Sequence, residues 1–397
     1  MAATLGVSGS KVAELRLAFV TTEDASSLGS WSGIPYHMAR ALVGHGVTLA
    51  RVGPLRAPPA TLAVARARQV ACGLGRGGYP LQRDPGVARA YAREVALRLR
   101  DLEVDAVFSP GTIPIAGLEV SVPVVFWTDA TFAAMVDYYP AYCGLSAAGL
   151  HAGNEMERAA IERASVAVYA SAWAAESAVG TYGADPRKLH AIPLGANLTR
   201  APDRGEVTGL IERRSQRVCR LAFVGVDWRR KGGDLALALV ERLVDMGVPS
   251  RLTVVGCRAG DVPRSRLIDF TGFLDKSTPQ GEAELLRVLG ESHFLCLPSH
   301  AECFGVVFCE ASACGVPSLA IRTGGVASAV RHGANGYLFD ETSFVESAAA
   351  TIAGCMADYD GEYIPLALSS RDEYCTRLNW TTSTRALIER VSPFVAG

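Results

Sequence analysis

Two carboxylates, Glu302 and Glu310, bracket Cys303-Phe-Gly-Val-Val-Phe-Cys309, which follows an apolar run at 293–297 and leads into Ala311, Ser312 and Ala313. The pattern predicts a strand over 293–297 and a helix over 305–314. Phe304, Gly305, Val306 and Val307 then fall in the first helical turn, where main-chain N–H groups have no intrahelical partners. Those groups and the positive end of the helix dipole make an anion site, and Gly305 admits close approach. A carboxylate beside a phosphate repels it, so the two acids suit hydroxyl groups instead. Glu310, two turns inside the helix, suits a ribose, and Glu302 a second sugar at the other end of a diphosphate. Seen alone, a single helix start favours the simpler reading, in which Glu302 caps the helix and Glu310 is solvated.

A second set lies in Phe223-Val-Gly-Val-Asp-Trp-Arg-Arg-Lys-Gly-Gly233, read as strand, turn and helix start. Arg229, Arg230 and Lys231 concentrate positive charge at the end of a strand. Arginine forks onto two phosphate oxygens, and lysine supplies a point charge. Breaking a sugar–phosphate bond requires that a diphosphate leaving group be neutralised. A solvated basic turn is the other reading of the same three residues. In the N-terminal half, Ser30-Trp-Ser-Gly-Ile-Pro-Tyr36 is a loop with one glycine, Gly33, and a proline suited to a first helical turn. Asp129 follows a buried strand in Phe126-Trp-Thr-Asp-Ala-Thr-Phe132, and is either a polar group of the site or the cap of the next helix. Asp137-Tyr-Tyr-Pro140 and His151 fit an acceptor pocket or helical packing equally well.

These groups need a scaffold. Short apolar, β-rich runs alternate with helical patterns, which points to βαβ units in parallel sheets. Strands are expected at 15–20, 47–52, 106–109, 122–127 and 165–170, with helices at 34–46 and 87–102. The pattern pauses at 197–216, a polar stretch with Pro202 and Gly205 that reads as a connector. It resumes with strands at 220–225, 251–255, 293–297 and 317–321, and helices at 232–246, 281–289 and 305–314. Two such halves predict an α/β protein of two doubly wound, Rossmann-like domains facing a central cleft.

Composition narrows the function. With 397 residues, 49% hydrophobic and 20% charged, the chain is neither disordered nor of low complexity. A net charge of -1 gives no nucleic-acid footprint, so no nucleic-acid partner is expected. Residues 51–100 differ from the rest: ten arginines stand against only Asp84 and Glu94. That segment is either a solvated basic surface or a docking face for an anionic membrane or a phosphorylated acceptor. The ten cysteines include no CxxC, and Cys296, Cys303, Cys309 and Cys314 lie in an apolar run, which fits buried free thiols in a reducing compartment. No apolar stretch is long enough to span a membrane, and Met1 to Lys11 lacks the pattern of a secretory signal. A cytoplasmic protein without a bound metal is expected.

Glu302 and Glu310, with seven residues between them, resemble the EX7E motif of the family 4 retaining glycosyltransferases, which use nucleotide sugars and have the GT-B fold. Pro298-Ser299 and Phe304-Gly305 match that family's P-S-x-x-E-x-F-G context, Lys231-Gly232 its K-G, and Pro193-Leu-Gly-Ala196 its P-x-G-x. The likeness runs from about residue 15 to the region of Trp380. It implies an acceptor-side domain over 1–196, a linker over 197–216 and a donor-binding domain over 217–375, with 376–397 packing back on the first. Lys231, with Arg230 beside it, would hold the donor diphosphate and Glu302 the donor sugar. Glu310 would hold the ribose, and the base would pack near Gly272-Phe273-Leu274. Three positions depart from the family: Val226 replaces an arginine, Thr128 a histidine ahead of Asp129, and Gly33 stands alone where two glycines are usual.

The implied activity is transfer of a sugar, with retention, from a nucleoside-diphosphate sugar to a hydroxyl of a glycan, a lipid-linked or a small-molecule acceptor. Glu302, Asp129 and Lys231 would be its catalytic groups, and no cofactor is expected. Lipid-linked acceptors in relatives add weight to membrane contact through 51–100, at the inner face of the membrane. A nucleotide-sugar epimerase or phosphorylase, or a catalytically silent sugar-nucleotide-binding protein, are the alternatives on the same fold.

Overall fold

The computed structural model describes residues 15–75 and 77–395. The reading of Met1 to Lys11, and Arg76 of the basic segment, lie outside the described residues. The first half forms a six-stranded sheet from β1 (Arg16–Val20), β2 (Thr48–Val52), β3 (Ala106–Ser109), β4 (Val124–Thr128), β5 (Val166–Tyr169) and β6 (Leu189–Ala191). The second half repeats this with β7 (Cys219–Val224), β8 (Ser250–Val255), β9 (Ile268–Gly272), β10 (Phe294–Cys296), β11 (Ser318–Ile321) and β12 (Gly336–Phe339). Every pairing within both sheets is parallel. Helices joining parallel strands cover both faces of such a sheet, which is why β3, β4, β5, β10 and β11 are buried along their whole length.

Strand order sets where a ligand can sit. The first sheet runs β2-β1-β3-β4-β5-β6 and the second β12-β11-β10-β7-β8-β9. The chain leaves β1 in one direction and returns to its other side at β3; it does the same at β7 and β10. At such a reversal the connections depart to opposite faces and leave a crevice beyond the strand ends. The basic turn follows β7 and the Glu302 segment follows β10, so the two meet at the reversal of the second sheet.

Three expectations need correction. The stretch 197–216 is not merely a connector: it holds the helix Arg204–Arg213, opened by a capping box in which Asp203 and Glu206 satisfy each other's main-chain N–H groups. Its Val207 and Ile211 are buried in the second half. The polar composition concealed this, because only those two positions of the helix face the core. The basic segment contains a helix, Pro59–Leu74, that no strong periodicity announced, since Ala65 is its only buried residue. It is also not uniformly a surface: Arg83 is buried against Glu157 at 2.8 Å.

The last helix, Trp380–Val395, packs on Ile34–Gly44 of the first half. The His45 ring nitrogen meets the Thr381 carbonyl at 2.8 Å, and the Trp380 ring lies edge-on to Trp127 of β4 at 5.7 Å. Asn197 stands where the chain first leaves the N-terminal half; it donates to Ser32 O and accepts from the Trp380 indole, both at 2.8 Å. Beside it Gly195 lies so close to Trp380 that a Cβ would fall 2.2 Å from the Trp380 nitrogen. A single apolar cluster, which includes Trp127 and Trp380, therefore runs through both halves.

Candidate active site

The turn after β7 is wound by its own main chain: Lys231 N donates to Asp227 O, Gly232 N to Arg229 O and Gly233 N to Trp228 O. Gly232 is left-handed at φ 74, and a Cβ there would fall 2.0 Å from Pro298 O. Only glycine fits both demands. This contact presses the turn against the segment after β10, where His300 N donates to Arg230 O at 2.9 Å. Lys231 is thereby buried with its Nζ on the Glu302 carboxylate. Arg230 donates to Ala301 O at 2.9 Å and approaches Glu302 at 3.9 Å.

Glu302 does not cap the following helix. That helix is Val306–Ala313, its N-cap is Gly305 at φ 84, and no side chain caps it. Phe304 lies before the helix and is buried, a correction to its expected place in the first turn; Val306 and Val307 open the helix, half-buried. Glu310 is its fifth residue, one turn inside rather than two. It is also far from solvated: it is 2% exposed and accepts from Lys276 Nζ at 2.7 Å.

The first half brings three groups. Asp129 leaves the end of β4 and accepts from the Trp31 side chain and the Ala130 main chain. Burial, with the Glu302 charge adding to it, pushes its carboxyl up to about 6. It does not cap the next helix, because Thr131 does so by accepting from Ala134 N at 3.1 Å. Gly33, buried at φ 84, ends a loop in which Trp31 (φ 43) and Ser32 (φ 57) are also left-handed. Trp31 and Ser32 are strained there and Gly33 is not, and the Trp31 side chain reaches Asp129. His37, next to Gly33, is held neutral: burial first, then the Lys276 and Arg40 charges, bring it down to about 4.

Tyr138 and Tyr139 reach the Glu302 segment directly. Glu302 N donates to the Tyr138 hydroxyl oxygen at 2.8 Å, and the Tyr139 hydroxyl donates to Glu302 Oε1 at 3.3 Å. Of the two readings open for this dipeptide, neither foresaw contact with Glu302; His151 is exposed on the helix Ala147–Arg163. Lys276 was not singled out either, although a signal existed. The 39 basic residues include only four lysines, and two of these, Lys231 and Lys276, each hold one of the two acids. Phe273 is 70% exposed at the rim of a cavity of about 800 Å³ that Val226, Asp227, Arg258 and Phe270 also line. Among the described residues no group of three or more His, Cys, Asp or Glu side chains could hold a metal ion, and no helix is long and apolar enough to cross a membrane.

Residues 216–363 match the family model described as glycosyl transferases group 1. The matched residues include the basic turn, Glu302 and Glu310. Over 238 residues the chain is 30% identical to the D-inositol 3-phosphate glycosyltransferase of Mycobacterium marinum, covering 56% of this chain and 50% of that protein. The enzyme of the same name from Actinosynnema mirum is 36% identical over 180 residues, covering 41% of this chain and 42% of that one. The chain thus spans about half the length of the curated relatives it matches. Solved structures extend the likeness to the whole fold. Sucrose-phosphate synthase from Thermosynechococcus elongatus aligns with a TM-score of 0.68 at 15% identity, covering 96% of this chain and 100% of that one. Anabaena HepE in complex with UDP aligns at 0.63 and 16% identity, with the same coverage. The architecture is that of the GT-B glycosyltransferases, two parallel six-stranded sheets with flanking helices.

Proposed function

We propose that this protein is a retaining glycosyltransferase that moves a sugar from a nucleoside-diphosphate sugar to a hydroxyl acceptor. The observation that carries the proposal is the meeting, at the β7/β10 reversal, of Lys231 and Arg230 with Glu302, ahead of the helix that buries Glu310 one turn inside its start. Lys231 and Arg230 neutralise the diphosphate by side-chain charge rather than through a metal ion, with the main-chain N–H groups of Val306 and Val307 beside them. Glu310 holds the ribose hydroxyls, Glu302 those of the donor sugar, and Phe273 borders the base. Gly33 lets the Trp31 loop face the donor, and Asp129, whose carboxyl feels the Glu302 charge, is a further polar group of the first half at the site. Catalysis is by positioning and charge stabilisation, with attack on the face the diphosphate leaves. The named relatives are glycosyltransferases and HepE binds UDP, which favours a nucleotide-sugar donor here.

The test is thermal denaturation with UDP, GDP, ADP and TDP. One of them at about 100 times its dissociation constant stabilises the wild type by about 2.7 kcal/mol. Lys231→Ala and Glu310→Ala lose that gain, and Lys231→Ala loses donor turnover by about a hundredfold or more. A wild type that none of the four stabilises defeats the proposal.

For the acceptor we propose a lipid-linked molecule at an anionic membrane. The helix Pro59–Leu74 turns Val64, Val70 and Leu74 to solvent, Leu74 at 84% exposure, with Arg66 beside them. An apolar stripe flanked by arginine lies in a membrane interface. Vesicles rich in phosphatidylglycerol should retain the wild type and release the Val70→Ser, Leu74→Ser double variant; equal binding to phosphatidylcholine would refute the electrostatic part.

A further inference from the structure

Tyr139 belongs to the first half but spends its hydroxyl entirely on the second. Its proton goes to Glu302 Oε1 at 3.3 Å, and its oxygen accepts from Arg230 Nη1 and Cys303 N, both at 3.4 Å. A phenol has one proton and two lone pairs, so with both acceptor positions taken by N–H groups the proton can point only to the carboxylate. The Arg230 guanidinium lies over the same ring, 5.0 Å from its centre. Burial and the Glu302 charge push the phenol far above its ordinary range, so it stays a donor at any working pH.

The neighbouring residue fixes the segment in place. The Tyr138 hydroxyl accepts from Glu302 N, meets Thr323 Oγ1 at 2.9 Å, and its ring rests on Trp173 at 5.3 Å. Gly324 leaves room for it, since a Cβ there would lie 2.4 Å from the Tyr138 oxygen. The other partners of the Glu302 carboxylate are Lys231 and, at 3.9 Å, Arg230, the two groups assigned to the donor diphosphate. A phosphate that draws these two cations toward itself leaves the carboxylate with Tyr139, the partner that carries no charge for the phosphate to attract.

We propose that Tyr139 is a positioning residue delivered by the acceptor-side half: its hydroxyl holds the Glu302 carboxylate on the donor sugar while Lys231 serves the diphosphate, and its ring holds Arg230. This rests on the transferase reading. The test compares wild type with Tyr139→Phe, which keeps the ring and removes the proton. Each is titrated with UDP, GDP and ADP by calorimetry, melted, and assayed for release of nucleoside diphosphate from UDP-glucose, GDP-mannose and ADP-glucose. The variant should bind the free nucleotide within about twofold of wild type and melt normally, while kcat/KM for the sugar nucleotide falls about tenfold or more, the loss of one hydrogen bond to a charged group. Unchanged kcat/KM overturns the assignment, and so does a loss that nucleotide affinity and melting share, which would mark a purely structural role. A wild type that binds no nucleotide and releases none overturns the transferase reading and this assignment with it.

Discussion

Asp129 shows what the site asks of single residues. Its carboxyl is raised because ionisation puts a second negative charge near Glu302 in a half-buried place, against which the Trp31 hydrogen bond only partly compensates. A group bound to its proton more tightly when folded loses stability as pH rises from its ordinary 3.8 to about 6. Asp129→Asn should therefore be less stable than wild type by no more than a little at pH 4 and gain on it steadily up to pH 7, as read from urea unfolding at each pH. A difference that runs the other way would mean that the carboxylate is stabilised in place. Much of the residue scale was legible beforehand: Glu302, Glu310 and Lys231 could be found from their spacing and neighbours. The contacts of Tyr139 with Glu302 and of Lys276 with Glu310 were not legible, because the partners lie far off in sequence and nothing local to either residue encodes such a meeting.

At the scale of elements, the strands were legible because buried parallel strands are continuous apolar runs bounded by turns. The helices Arg204–Arg213 and Pro59–Leu74 were not, since one buries two apolar side chains and the other a single alanine. What holds Arg204–Arg213 is instead its start. Asp203→Ala removes the side chain that accepts from Glu206 N at 2.8 Å and should cost about 1 kcal/mol in chemical denaturation, leaving nucleotide affinity unchanged. Gly232→Ala is a different matter. It meets both a left-handed backbone and the Pro298 carbonyl, so it should cost more than about 2 kcal/mol and abolish nucleotide binding by separating the basic turn from the Glu302 segment. Wild-type nucleotide affinity in Gly232→Ala would show that the turn is held by other means.

The molecule as a whole is two similar halves joined by two crossings, one at Asn197 and one just before Trp380. Asn197 ties both to the Ser32 loop, so Asn197→Ala leaves the buried Trp380 indole without its acceptor and should cost about 2 kcal/mol, measured by the loss of tryptophan fluorescence in urea. A variant as stable as wild type would place the strength of the joint in apolar packing alone. The lysines have another use at this scale. In a protein of 41.9 kDa most spectra are crowded, yet growth on isotope-labelled lysine lights only four backbone amides. Lys231 and Lys276 each sit on one of the two acids, while Lys188 reaches the Ala164 carbonyl at 3.2 Å and supplies an internal reference. The chain's preference for arginine thus leaves a nearly empty spectral window in which events at Glu302 and Glu310 can be followed separately, one peak for each end of the donor.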